Sequence, residues 1–405
     1  MNVYLELRRS PGVYRIIAAQ LLARFPFGML SITVLLHIEL VYGNFTSAGL
    51  ILAAQSIGQA ISGPIAGRLM GRLGMRWVLL VTTLICTALL VTIAVTALPI
   101  AVVTAIAFVL GITTPPVTPA VRTLYPTLVP GNRLTALFSL DASAQEIIWI
   151  LGPVAAVFVS AQFSTVWGLL VAAACMFAGG LWFGLSPEVG RVAVPPSRRR
   201  LGAVLGRPTV IVSTLLTFLF VASFAALEAG IVATFGHGEL TAGVLLAIFS
   251  VGSILGGLVL GHRDVRPWSI FWRVVIVLIG TALCLVSLHP VWLGVVLFLG
   301  GIGIAPFFAA TLAIVSARVR FSETAEAYGW VGTGMLVGVA LGSAAAGVAI
   351  DLAGGIGGIL VSTLLLVVTA IAAAIGVAWT PDLRGRDAGP RPDTEPVTLP
   401  DVSPR

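Results

Sequence analysis

The chain has 405 residues, of which 58% are hydrophobic and only 10% charged, with a mean hydropathy of +1.07. A soluble domain carries roughly 25% charged residues, so no aqueous fold hides this much apolar surface, and an all-α integral membrane protein is expected, because helices satisfy their own backbone groups in a bilayer. The net charge of +7 comes from 23 basic residues, every one an arginine, and their placement beside helix ends reads as an orientation signal rather than a nucleic-acid patch.

Runs of about 20 apolar residues are long enough to cross the hydrocarbon core. Twelve are expected, near 13–40, 47–69, 77–97, 99–121, 134–160, 164–185, 209–235, 240–261, 268–288, 291–316, 324–350 and 355–379. Arginines fall in alternate gaps. Arg68, Arg72 and Arg76 follow the second span, Arg122 and Arg133 the fourth, and Arg191, Arg198, Arg199, Arg200 and Arg207 the sixth. Arg263 and Arg266 follow the eighth with Arg273 just beyond, and Arg318 and Arg320 follow the tenth. The intervening gaps, such as the turn at His237–Glu239, have none. Positive charge stays on the cytoplasmic side, so both termini are expected in the cytoplasm of a multi-pass cell-membrane protein. Arg24 alone breaks the alternation. The expected organisation is a six-helix bundle over 1–186, a cytoplasmic linker over 187–208, a second six-helix bundle over 209–380, and a disordered tail over 381–405, where six prolines accompany few large apolar residues.

The halves repeat. Residues 47–69 and 241–263 align without gaps at an offset of 194, with Ala48/Ala242, Gly49/Gly243, Leu52/Leu246, Ala53/Ala247, Ser56/Ser250, Gly58/Gly252, Gly63/Gly257 and Gly67/Gly261 identical. At an offset of 190, Gly111, Ile112, Pro116 and Ala120 match Gly301, Ile302, Pro306 and Ala310. Two parallel repeats about an axis along the membrane normal are a transporter architecture.

After the second span the chain reads Gly67-Arg68-Leu69-Met70-Gly71-Arg72-Leu73-Gly74-Met75-Arg76. With the twelve spans and the central linker, this run resembles the major facilitator superfamily, whose pattern here is Gly-x-x-x-Asp-Arg-x-Gly-Arg-Lys/Arg. Gly67, Arg72, Gly74 and Arg76 match; Gly71 stands in place of the acid and Met75 in place of a base. The resemblance implies a cytoplasmic gate at this loop, with Glu323 or Glu326 pairing across the halves to Arg72 or Arg76, or else complementing a helix dipole. Ile150-Leu151-Gly152-Pro153 is similar to the Gly-Pro core of a motif associated with efflux antiporters.

Ionisable groups within a bilayer are costly and mark functional sites by default. Arg24, Asp141, Glu146 and Glu228 are the candidates. Arg24 and Glu146 lie at similar depth, so Arg24 is expected to pair with Glu146, or alternatively with Asp141, as a proton-driven switch or as a static lock between spans one and five. In the superfamily, spans one, four, seven and ten line the cavity, which makes Glu228 a candidate for protons or a cationic substrate. Pro116 and Pro306 read as cavity-lining kinks, and Phe224 and Phe307 as apolar walls. Cys86, Cys175 and Cys284 sit alone in apolar stretches and read as packing residues. There is no phosphate-cradling Gly-x-x-x-x-Gly-Lys-Ser/Thr loop, no metal-ligand spacing, and neither cofactor nor enzymatic constellation is expected. The reading is a monomeric secondary transporter, with a small-molecule substrate and protons as its partners in the bilayer: proton-coupled efflux of a small amphiphile. An uptake symporter or facilitator, and a non-transporting sensor with the same fold, are the alternatives.

Overall fold

The computed structural model describes residues 7, 10, 12–43, 45–192, 194–195, 200–235, 240–386 and 388–393. Arg198, Arg199 and the turn at 237–239 lie outside them. Fifteen α-helices follow in order: α1 Val13–Tyr42, α2 Phe45–Leu73, α3 Met75–Val95, α4 Ile100–Ile112, α5 Val117–Leu128, α6 Gly131–Gln162, α7 Thr165–Leu185, α8 Pro187–Arg191, α9 Pro208–Phe235, α10 Leu240–Leu260, α11 Ser269–Leu283, α12 Pro290–Gly301, α13 Ile304–Arg318, α14 Thr324–Ala353 and α15 Gly355–Gly376. Among the described residues, ten passes are long and apolar enough to cross a membrane. The polar-diluted α2, with Gln55, Gln59 and Arg68, and the 15-residue α11 complete the series of twelve.

Two passes are broken, and at repeat-equivalent places. The fourth divides into α4 and α5 at Thr113–Pro116, and the tenth into α12 and α13 at Ile302 and Gly303. Pro115 and Pro116 lack the N–H that would continue the ladder. The Thr113 and Thr114 hydroxyls instead donate to the carbonyls of Val109 and Leu110. The glycine matches found between the halves are matches of contact. Gly58 abuts the Phe108 carbonyl and Gly111, while Gly252 abuts the Phe298 carbonyl and Gly301. Positions 58/252 carry the offset of 194 and positions 108/298 and 111/301 the offset of 190, so one helix crossing has been built twice. A side chain at either glycine meets backbone, which is why small residues recur at membrane helix crossings.

The halves meet along α2 against α14 and α6 against α10, with α5 touching α14 and α13 touching α6. Gly67 lies against the backbone of Ala325 and Glu326, and Gly63 against Gly329. Thr333 donates to the Ala60 carbonyl at 2.7 Å, and Ser139 to the Gly257 carbonyl at 2.7 Å. The contacts of Gly67, Ala325 and Ser139 fall toward the end of the bundle that carries the start of α1 and the arginine-rich connections, and the Thr333–Ala60 bond lies nearer mid-helix. The opposite ends of α6 and α14 expose Phe158 and Leu352.

The tail corrects an expectation. Leu383 and Ala388 are buried, the Leu383 N–H donates to the Val265 carbonyl at 2.9 Å, and the Arg391 N–H donates to the Val319 carbonyl at 2.9 Å. Ser322 Oγ donates to Asp393 at 2.5 Å. Residues 381–393 are thus a packed strap across the connections of the second half; a few apolar anchors and backbone hydrogen bonds order a segment whose composition reads as disordered. Residues 394–405 lie outside the described part.

Candidate transport site

Four side chains from α1 and α6 form a closed relay. Gln20 and Arg24 are four residues apart, as are Asp141 and Gln145, so each pair shares a helix face. Arg24 Nη1 donates to Gln20 Oε1 at 3.0 Å and Nη2 to Gln145 Oε1 at 2.5 Å. The two glutamine amides then donate to the two oxygens of Asp141, each at 2.9 Å. The direct approach of Arg24 to Asp141 is 4.0 Å. Asp141 is fully buried and the Arg24 side chain is 11% exposed. The arginine and aspartate therefore interact chiefly through glutamines that satisfy both.

This arrangement corrects the expected Arg24–Glu146 pair: the partner is Asp141, the alternative that sequence depth had ranked second. Glu146 is one residue beyond Gln145 and so turns about 100° around the helix. It faces the other half, where its Oε1 accepts from Ser253 Oγ of α10 at 2.7 Å.

Two arginines counted with the loop-side charges, Arg122 in a connecting gap and Arg273 just beyond one, are inside the bundle. Arg122 lies on α5, 2% exposed, and its Nε and Nη1 have no hydrogen-bond partner among the described residues. Asp141, Tyr125 and Tyr328 are its electrostatic neighbours. Arg273 of α11 is also buried and donates from Nη1 to the Pro306 carbonyl at 2.7 Å. It thereby caps a backbone carbonyl at the start of α13, just past the break in the tenth pass.

The second half presents a different surface. Phe220 of α9 stacks on Phe307 of α13 with ring centroids 3.8 Å apart. Phe224 packs against Phe220 and against Phe249 of α10, and Phe308 sets its edge to Phe220 and Phe307. Phe224 and Phe307 are thus brought together as one aromatic wall. Glu228, one turn beyond Phe224, is exposed. Pro116 is buried at the break of the fourth pass, where its carbonyl accepts from the Ala120 N–H.

At the closed end, Gly74 has φ +88°, a left-handed conformation that glycine adopts without steric cost, and it starts α3. Arg76 donates to the carbonyls of Gly184 and Ser186, joining α3 to the end of α7 within the first half. Arg72 is exposed on the last turn of α2. The pair that crosses the halves is Arg68 with Glu326, at 3.5 Å; Glu326 also accepts from the Gly202 N–H of the linker at 2.7 Å. Glu323 pairs instead with Arg207 at 2.6 Å, joining the linker to the second half. The expected pairing of Glu323 or Glu326 with Arg72 or Arg76 is corrected accordingly: the arginine next to Gly67 is the one brought closest to α14. Gln20, Gln145, Arg68, Arg122, Ser253 and Arg273 are the residues that sequence reasoning passed over. The i, i+4 spacing of a glutamine to each buried charge was the available signal.

A family model described as Major Facilitator Superfamily matches residues 16–263 and 209–401. The chain belongs to the major facilitator superfamily. The structure of the human organic anion transporter MFSD10 (TETRAN) is similar, with a TM-score of 0.68 at 17% identity, over 91% of this chain and 99% of that one. A bacterial homologue of the iron transporter ferroportin in its outward-facing state is also similar, with a TM-score of 0.69 at 14% identity, over 91% and 98%. No curated protein matches the chain in sequence. At these identities the two structures speak for the fold. Membership makes this superfamily protein a multi-pass transmembrane transporter rather than an enzyme.

Proposed function

We propose that the protein exports a small amphiphilic molecule in exchange for protons, by rocking its two halves about a site between the Arg24 relay and the aromatic wall. The observation that carries this reading is the Glu146–Ser253 hydrogen bond, which ties a membrane-embedded carboxylate of one half to the other half. A carboxylate there changes its hold on the opposite half when it takes up a proton, and ionisable groups inside membranes commonly serve proton relays. The arginine-rich end is taken as cytoplasmic on the positive-inside rule, with both termini there and the cell membrane as the location. The contacts between the halves then close the cytoplasmic side, and the outer ends of α6 and α14, with Phe158 and Leu352 exposed, are the open side. The Gly-Pro core in α6 supports export as the direction. One chain contains both halves of the pathway, so a monomer suffices.

The test is export of a compound panel from cells lacking their main exporters, comparing wild type with Glu146→Gln at matched expression, with and without a proton gradient. Gradient-dependent export that the variant loses is the expected result. Accumulation instead of depletion would turn the direction to uptake. Undiminished proton dependence in Glu146→Gln would remove Glu146 from coupling.

A further inference from the structure

Around the relay the buried charges do not balance. Arg24 and Arg122 face a single buried carboxylate, Asp141, and both of its oxygens are already taken by the amides of Gln20 and Gln145. Glu146 is turned to Ser253. Arg122 is 98% buried, and two of its guanidinium nitrogens have no hydrogen-bond partner among the described residues. Arg24 Nε is likewise buried without one. Guanidinium groups are planar forks that match carboxylates and phosphates, and an uncompensated buried cation is costly to keep. A permanently charged arginine that packs in this way suits a site whose missing charge arrives with the ligand.

We infer that the substrate is an amphiphilic organic monoanion, with its carboxylate or equivalent acid group held by Arg24 and Arg122 and its apolar tail against the aromatic wall. This deepens the transport reading above and rests on it. The two arginines also differ in access. Arg24 keeps partial exposure, whereas Arg122 is sealed beside Tyr328 of α14, on the opposite half. Parting of the halves at the closed end draws α14 away from α5 and uncovers Arg122. Arg24 thus meets the anion on one side of the cycle and Arg122 on the other, with Asp141 between them. The repeat makes the asymmetry plain. At the offset of 190, the counterpart of Arg122 is Leu312, a buried apolar residue. The anion-binding function is therefore confined to the first half, and the second half supplies the apolar contact.

The test uses full-length protein in nanodiscs and equilibrium binding of a series of ω-phenyl carboxylates of increasing chain length, each against the ammonium and the alcohol of the same length. The carboxylates are expected to bind about tenfold or more tighter than the matched ammonium and alcohol, as for one charge-assisted contact. Arg122→Gln should lose most of that preference, with Arg24 supplying what remains, and Arg122→Lys should keep more of it. A single symmetric elution peak and an unchanged helical circular dichroism spectrum show that the variants are folded. Ammonium or alcohol binding equal to or better than the carboxylates overturns the anion inference and leaves the transport reading intact. Carboxylate preference unchanged in Arg122→Gln also overturns it. No binding by any member of the series overturns it as well, and absence of gradient-dependent export in cells would then sink the transport reading separately.

Discussion

The two six-helix halves share a helix crossing down to individual atoms, yet they place opposite chemistries at the centre. Gly58 against Phe108 and Gly111 is repeated as Gly252 against Phe298 and Gly301, so the scaffold is conserved between copies. Where the first half has Gln20, Arg24, Asp141 and Gln145 in mutual hydrogen bonds beside the buried Arg122, the second has Phe220, Phe224, Phe249, Phe307 and Phe308 packed ring to ring. The comparison separates what holds the fold from what serves transport. Packing glycines are needed in both copies because backbones approach closely. The networked charges of the relay appear in one copy only, the buried Arg273 of the second half being spent on a backbone carbonyl, because nothing in the fold demands such a network and each buried charge carries a desolvation cost.

The most damaging single change should therefore be in the first half. Arg24→Leu takes from Asp141 one of its two cationic neighbours, leaving Arg122, and strands one carbonyl on each glutamine; removing one partner of a buried pair costs about 3 kcal/mol or more. Thermal unfolding in detergent checks the size. The double variant Arg24→Leu with Asp141→Leu should be less destabilised than the sum of the two singles, because the pair is removed together. A sum that is simply additive would show that the relay is not a coupled unit.

On the other side of the comparison, Phe307→Ala should cost about 3 kcal/mol through the cavity left beneath Phe220. Transport of the apolar part of the substrate should weaken with it. Its effect on unfolding should add to that of Arg24→Leu within about 0.5 kcal/mol, because the relay and the wall belong to different halves and share no partners. Strong coupling between the two would mean that the halves are not independent in the way their chemistry suggests.

Much of this division could be read from the chain. The alternation of arginines, the two glycine offsets and the loop from Gly67 to Arg76 gave the spans, the halves and the family. The site was less legible. Depth along a helix was available from residue counts, and it placed Arg24 beside Glu146. Azimuth decided the partner: Asp141 and Gln145 face α1, and Glu146, one residue on, faces α10. Arg122 was misplaced because the end of the fourth span was set at residue 121, seven residues short of Leu128, and an arginine near a span end reads as a loop residue. Pro115 and Pro116 break that pass early, so α5 restarts at Val117 and carries Arg122 inward. The strap at 381–393 was missed because a handful of backbone hydrogen bonds and two buried side chains leave no trace in composition.

A matched pair sharpens the shared part of the comparison. Gly58→Ala and Gly252→Ala each drive a methyl group into a backbone carbonyl, Phe108 in one half and Phe298 in the other. Overpacking of this kind costs about 1–3 kcal/mol. The two losses should agree within about 0.5 kcal/mol, the usual spread for independent equivalent sites. A large difference in unfolding temperature between the two variants would show that the repeat is one of sequence and not of load.

The smallest effect should distinguish two neighbouring acids at the closed end. Glu326 forms an ion pair across the halves with Arg68 and accepts a hydrogen bond from the linker at Gly202. Glu323, three residues earlier, bonds to Arg207 on its own side. Glu326→Gln keeps an acceptor for the Gly202 N–H but loses the charge facing Arg68. For a partly buried pair this is worth about 1 kcal/mol, which shifts a two-state equilibrium about fivefold. The shift should favour the state in which this end is open. Spin labels on the exposed residues Phe158 and Leu352, at the far ends of α6 and α14, should then report a larger population of short distances. Glu323→Gln removes a contact that moves with its own half in both states, so it should lower the unfolding temperature without changing that distance distribution. Equal shifts from both variants would assign the gate to the whole linker. No shift from Glu326→Gln would leave the backbone contact of Gly67 with Ala325 and the Thr333–Ala60 and Ser139–Gly257 hydrogen bonds as what keeps this end closed.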